Sequence, residues 1–312
     1  MMISKKTFTK TSNWLKRNAR PLEVARWEYV FEGKDRTNVL EVLRAYQNDD
    51  GGFGHGIEPD FWLPDSSPMA SWFAGQILLE VEAANDDPMV IALMDYLVKS
   101  YNKEAGLWLS VLPENNSYPH APWWHWQENA QENWKFNPSA ELAAFLLNWS
   151  SKQSDPWQIG NDVLNNALKR LMEANKMDSH EIFNYQRLYR MLIRKEAVLT
   201  GRSTCTLDQI FNKLAALIES SVEKDIKSWA TGYKPLPLDF VVNSEDPFCK
   251  MFGDLVEANL KFYIEQLTED GVWRIPWEWG QYPEVFPIAK RYWEGILAID
   301  RYTKLQLFDC LE

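Results

Sequence analysis

The chain has 312 residues, 46% of them apolar, enough for one large core or two ordinary ones. Its net charge of −11 argues against nucleic acid and anionic membrane as partners, because both demand clustered Lys and Arg. Tryptophan, at 16 residues, is the one unusual count.

Met1 to Lys16 carry charges without an apolar stretch, so no secretory signal is expected. No apolar run approaches the ~20 residues of a membrane span. Cys205, Cys249 and Cys310 lie far apart and form no C-x-x-C pair, which points to reduced core thiols and a cytoplasmic location. With no linker rich in Gly, Ser or Pro, a single domain over 1–312 is expected.

Apolar residues recur at helical spacing almost throughout, and no segment sustains a period of two, so the fold class is all-α. Helices are predicted near 21–32, 36–47, 68–83, 88–101, 138–150, 158–175, 180–195, 206–223, 250–267 and 287–306; the charged start is left unassigned. Pro68, Pro138 and Pro287 suit a first helical turn, where a missing N–H costs nothing. Asp178-Ser179 is placed to cap free amides, and Asp86-Asp87-Pro88 marks another start. Long connections at 51–67, 106–137, 224–247 and 271–286 alternate with short ones, as in stacked helical hairpins whose long loops share one face. The stretch 224–267 departs from this scheme, because it lacks a partner helix.

Three helix ends share a unit. Gln47-Asn48-Asp49-Asp50-Gly51-Gly52-Phe53 is matched by Gln266-Leu267-Thr268-Glu269-Asp270-Gly271-Val272-Trp273, and more faintly by Tyr101-Asn102-Lys103-Glu104-Ala105-Gly106-Leu107-Trp108. Each is followed by a loop and a proline-opened helix: Pro68-Met69-Ala70, Pro138-Ser139-Ala140 and Pro287-Ile288-Ala289. Repetition of this kind signals stacked hairpins. The glycine lets the backbone leave the helix left-handed, the aromatic plugs the gap between hairpins, and the alanine allows close packing.

Chemistry is expected in the loops, which hold ten of the 16 tryptophans: Trp62, Trp108, Trp123, Trp124, Trp126, Trp134, Trp229, Trp273, Trp277 and Trp279. The first loop sets His55, Glu58 and Asp60 among Phe53, Phe61 and Trp62; a carboxyl beside aromatics has its charged form desolvated and gains general-acid character. Alternatively, Glu58 or Asp60 anchors the loop by accepting backbone amides. The second loop combines Tyr118, His120, Trp123, Trp124, His125 and Trp126 with Asn115 and Asn116. Indole faces stack on the CH face of a sugar while imidazole and amide take its hydroxyls; the same rings also suit a carbocation or alkyl chain. The last loop places Glu278 between Trp277 and Trp279, followed by Glu284. Glu278 converging with Glu58 or Asp60 would support glycosidic cleavage. Asp239, Glu245 and Asp246 are reserve acids, and Ser71, Gln76, Glu141, Tyr185, Arg187, Arg291 and Glu294 are inner-helix polar groups. His55, His120 and His125 match no compact metal-ligand spacing, so no metal and no other cofactor is expected.

The Gln–Gly–aromatic unit resembles the QW-type repeat of squalene–hopene cyclases, and Tyr46 to Gly54 with Pro68 resembles the glycine-rich repeat of protein prenyltransferase β subunits. The resemblance covers about 39–83, 89–149 and 255–306 and implies an α/α toroid, a ring of about five to six helical hairpins. The functional residues of these families do not carry over. The Asp-x-Asp-Asp acid is absent, Asp86-Asp87-Pro88-Met89-Val90 departs from Asp-Asp-x-x-Asp, and neither Cys205 nor Cys249 follows Asp-x-Cys. For a diphosphate the loops offer only Lys103, Lys135, Lys227, Lys234 and Arg274. The expectation is therefore a carbohydrate-active hydrolase or lyase acting on a small-molecule or oligosaccharide substrate. The alternatives are an isoprenoid-handling enzyme and a non-catalytic binding protein.

Overall fold

The computed structural model describes residues 2–195 and 205–312. Among them lie twelve α-helices and no strand, only isolated bridges. The helices are α1 (Lys5–Asn18), α2 (Pro21–Glu32), α3 (Thr37–Arg44), α4 (Pro68–Glu80), α5 (Pro88–Ser100), α6 (Gln131–Trp134), α7 (Ser139–Trp149), α8 (Asp155–Glu173), α9 (Ser179–Arg194), α10 (Leu207–Ser221), α11 (Asp254–Glu265) and α12 (Phe286–Leu307). The protein is all-α, and no helix among the described residues is long and apolar enough to cross a membrane.

Local signals account for most boundaries. Ser67 accepts from the Ala70 amide ahead of Pro68, Asp87 from Met89 and Asp178 from His180, each satisfying an orphan donor of the first turn. Pro138 is the cap rather than the first helical residue of α7, behind a cis Asn137–Pro138 bond, and Pro287 stands second in α12. The unassigned start is a full helix. In α1, Ser4 caps Thr7 and a narrow face of Thr11, Ser12, Trp14 and Leu15 is buried. Its sequence, thick with Lys and Thr, carries too few apolar residues to announce that face. The stretch 224–253 forms short 3-10 turns at Ile226–Ser228, Pro237–Asp239 and Cys249–Met251 in place of a partner helix. Trp134, read as a loop residue, closes the single turn α6. All three cysteines are half-buried rather than core residues.

The chain divides into two compact units, Arg44–Ser221 and Met1–Leu43 with Val222–Glu312. In the Arg44–Ser221 unit, α7 is the central helix, apolar nearly all round, and it packs on α8, α9, α5 and α4. A Cβ on Gly75 of α4 would stand 2.2 Å from the Phe145 ring, so that glycine admits the ring. In the other unit, α12 packs on α2 and α1. Phe8, Trp27, Phe31 and Tyr302 form an aromatic cluster there, and Trp273 stacks edge-on against Tyr302. Burial pushes the Tyr302 phenol up to about 12, so it remains protonated and shares a 2.7 Å hydrogen bond with Thr11.

The three repeated units adopt one turn. The Gly51 amide donates to Asn48 O and the Asn48 amide to Gly52 O; Gly271 to Thr268 and Thr268 to Val272 repeat this at the same spacing. The pair Gly106 to Asn102 and Asn102 to Leu107 repeats it with one extra residue. All three glycines are left-handed, at φ +91°, +82° and +68°. Phe53, Trp108 and Trp273 are buried completely. Trp108 Nε1 donates to Leu97 O and Trp273 Nε1 to Tyr263 O, so each indole is tied to the helix it has just left. The Phe53 and Trp108 amides both donate to a serine of the following helix, Ser71 and Ser139. The Gly106 turn is thus a clasp tied to α5 and α7, and the Gly271 turn one tied to α11 and α12.

Candidate functional site

The clasp at Gly51 launches the first loop, and its own residues hold that loop. Asn48 donates to Pro64 O and Ser66 Oγ, while its Oδ1 accepts from His55 Nε2 at 2.8 Å. His55 sits at φ +57° and is exposed, and its bond to Asn48 closes the turn. Glu58 is 5% exposed and its Oε2 accepts the Asp60 amide at 2.7 Å. That contact is the anchoring arrangement among the two expected for these acids. Asp60 is buried as well.

A two-residue bridge joins this loop to the second. The Trp62 amide donates to Pro119 O at 2.9 Å and the Ala121 amide to Asp60 O at 2.7 Å, pairing Phe61 with His120. Phe61 packs on Trp124, which stacks face-on against Trp134 with centroids 4.4 Å apart. This aromatic stack is the internal core that orders two long loops.

From it emerges a directed chain of hydrogen bonds. His120 Nδ1 lies 2.6 Å from Tyr118 O, and a carbonyl only accepts, so Nδ1 donates and, in the neutral ring, Nε2 holds the lone pair. His125 Nδ1, 3.0 Å away, therefore donates to His120 Nε2. This leaves His125 Nε2 as an acceptor facing Asn116 Nδ2 at 3.5 Å. Asn116 is oriented by Trp126, whose amide donates to Oδ1 and whose carbonyl accepts from Nδ2. His120 is 2% exposed, whereas His125 and Asn116 are exposed. The chain carries a buried constraint to a surface imidazole of defined tautomer. Beside it Trp123 is 41% exposed, and Trp126, Trp62 and Tyr118 are half-buried. Asn115 Oδ1 and Trp124 Nε1 are buried here with no hydrogen-bond partner among the described residues.

The other predicted residues lie in the other unit. Trp277 packs edge-on against Trp293 and Tyr233, Trp279 packs on Phe286 and Tyr282, and Glu278 and Glu284 are exposed. Asp239 accepts from the Leu236 amide and the Tyr263 hydroxyl, and Asp246 from the Val242 and Phe248 amides, so both brace the 3-10 turns; Glu245 is exposed. Burial raises the Asp239 carboxyl, against the hydrogen bond from Leu236.

Among the inner-helix groups, Glu141 is buried on α7 and accepts from Trp72 Nε1 at 2.6 Å, Gln76 Nε2 at 2.9 Å and Arg187 Nη1 at 3.2 Å. Burial raises its carboxyl and Arg187 opposes the rise. Ser71 serves the clasp, and the Tyr185 hydroxyl donates to Ala167 O. Sequence reasoning missed Arg17, because α1 was unassigned; it lines a cavity with Arg274 and Arg291. Among the described residues no group of three or more His, Cys, Asp or Glu is arranged to hold a metal ion.

No family model, curated protein or solved structure matches the chain.

Proposed function

We propose that the protein is carbohydrate-active and takes a sugar on the joined loops 54–66 and 109–134, with its helical hairpins arranged as an α/α toroid of the terpenoid cyclase and prenyltransferase type. The three clasps support the toroid reading, because the same turn recurs at three helix ends. The observation that carries the sugar reading is the imidazole–amide chain ending at exposed His125 and Asn116 beside the exposed indole of Trp123. A sugar ring offers CH faces for the indole, and one of its hydroxyls can replace the long 3.5 Å Asn116–His125 contact, donating to Nε2 and accepting from the amide. Tyr118, Trp62 and Trp126 flank this surface. The carboxylates available to it for acid–base chemistry are Glu58 and Asp60. Glu58 acts there when the loop frees it from the Asp60 amide.

The test is calorimetric titration of the whole chain with neutral oligosaccharides and, in parallel, with isoprenyl diphosphates. Oligosaccharide binding that weakens about tenfold or more in Trp123→Ala and His125→Ala supports the reading. Response to isoprenyl diphosphates alone replaces it with the isoprenoid one. Product release by reducing-end assay, abolished in Glu58→Gln or Asp60→Asn, separates an enzyme from a binding protein.

A further inference from the structure

We propose that Arg17, Arg274 and Arg291 form a binding site for the oxyanion of a small ligand, a phosphate or carboxylate group, separate from the loop surface just described. The three guanidinium groups line one cavity of about 360 Å³ together with Trp14, Asn18 and Asp270. That volume is at the small end of ligand clefts and holds an oxyanion plus about one ring.

Three positive groups sharing a cavity repel one another unless something holds them. Here a single buried carboxylate does so: Glu294 accepts from Arg274 Nη1 at 2.9 Å and its other oxygen lies 3.9 Å from Arg291 Nε. Arg291 also donates to Asn18 Oδ1 at 2.6 Å and lies over the Trp14 ring. Two guanidinium planes are thus positioned in advance, with most of their N–H groups unused. Arg17, in the last turn of α1, is exposed and makes no hydrogen bond or ion pair among the described residues. Three guanidinium groups against Glu294 and Asp270 leave a local positive excess in a chain whose net charge is −11. The planar fork of arginine matches a phosphate or carboxylate edge with paired hydrogen bonds. Asp270, 3.9 Å from Arg274 Nη2, opposes a large polyanion and favours a single anionic group attached to a neutral body.

The whole chain is titrated by calorimetry at near-physiological salt with inorganic phosphate, glucuronate and glucose. Saturable binding of phosphate, glucuronate or both, undiminished by excess glucose, is expected; which anion binds identifies a phosphoryl or an acidic-sugar ligand. Arg17→Glu weakens that binding about tenfold or more, since it removes charge-assisted hydrogen bonds and adds repulsion. Arg194→Glu, the same charge change at an exposed position of α9, leaves it within about twofold. Because Arg17 holds no partner, its variant keeps the wild-type melting temperature, which is measured alongside. Absence of saturation by either anion, displacement of the bound anion by glucose, or equal loss in the two variants overturns the proposal. Trp123→Ala serves as the separator: it leaves this anion site intact whatever becomes of the loop surface.

Discussion

Replacing Gly51 with alanine tests the clasp as a structural device. At φ +91° an L side chain is strained, at about 1–2 kcal/mol. The added Cβ would stand 2.1 Å from Ala92 O and 2.6 Å from Ala92 C, both backbone atoms of α5. Restoring ordinary contact pushes the helix by roughly an ångström, and overpacking of this kind costs about 1–3 kcal/mol. The lower flexibility of the unfolded alanine chain offsets about 0.4–1 kcal/mol. The net expectation is a loss of about 2–4 kcal/mol, or a drop on the order of 4–16 °C in melting temperature for a unit of this size. Gly33 is the control: it is left-handed at φ +68°, but a Cβ there meets nothing within 4 Å. Gly33→Ala carries the strain alone and costs about 1 kcal/mol or less. Urea and thermal unfolding of both variants, followed by circular dichroism, decide the matter. If Gly51→Ala loses no more than Gly33→Ala, the clasp does not press on α5 and the reasoning fails.

Trp108→Phe and Trp273→Phe each remove one buried indole N–H bond, to Leu97 O or Tyr263 O, and leave a small void; each should cost about 1–3 kcal/mol by urea unfolding. Equal stability to wild type would mean that the aromatic plugs without tying. Arg20 and Glu23 form a doubly bonded pair at 2.7 Å, both buried; Glu23→Ala should cost about 3–5 kcal/mol, and Arg20→Met with Glu23→Leu distinctly less. A double variant as unstable as the single one would refute the uncompensated-charge argument. The Glu141 carboxyl is raised in the folded state, chiefly by burial, so its stabilising contribution is complete below the unfolded carboxyl pKa and is lost as pH rises through the folded one. Relative to Glu141→Gln, whose side chain does not titrate, wild type should therefore gain stability as pH falls from 7 toward 4.5, read from urea midpoints across that range. A gap that is flat or that closes on acidification contradicts the assignment.

Helical periodicity, Asp and Ser caps and proline starts are short-range properties, which is why α2, α4, α5 and α7 through α12 are legible within a few residues of their ends. The clasp is legible for the same reason, since glycine and aromatic sit two residues apart in each copy and the left-handed turn follows locally. Legibility failed where the signal is distributed. Helix α1 buries only Thr11, Ser12, Trp14 and Leu15, and its place is secured by Thr11 donating to Gly271 O, 260 positions away. Composition in a window cannot report such a partner. The loop tryptophans show the same division: sequence places Trp123 and Trp124 in one loop, but Phe61, distant in sequence, packs on Trp124 while Trp123 is displayed.

The sequence by itself determined the all-α class, most helix ends, the repeated clasp and the pool of loop residues from which a site is drawn. Tertiary structure decided which of them meet. The pairing of Phe61 with His120, the sharing of Glu141 by three helices, and the meeting of Arg17 with Arg274 and Arg291 all join groups far apart along the chain. Their proximity depends on burial and loop closure across many residues, and those are set by the packed core as a whole.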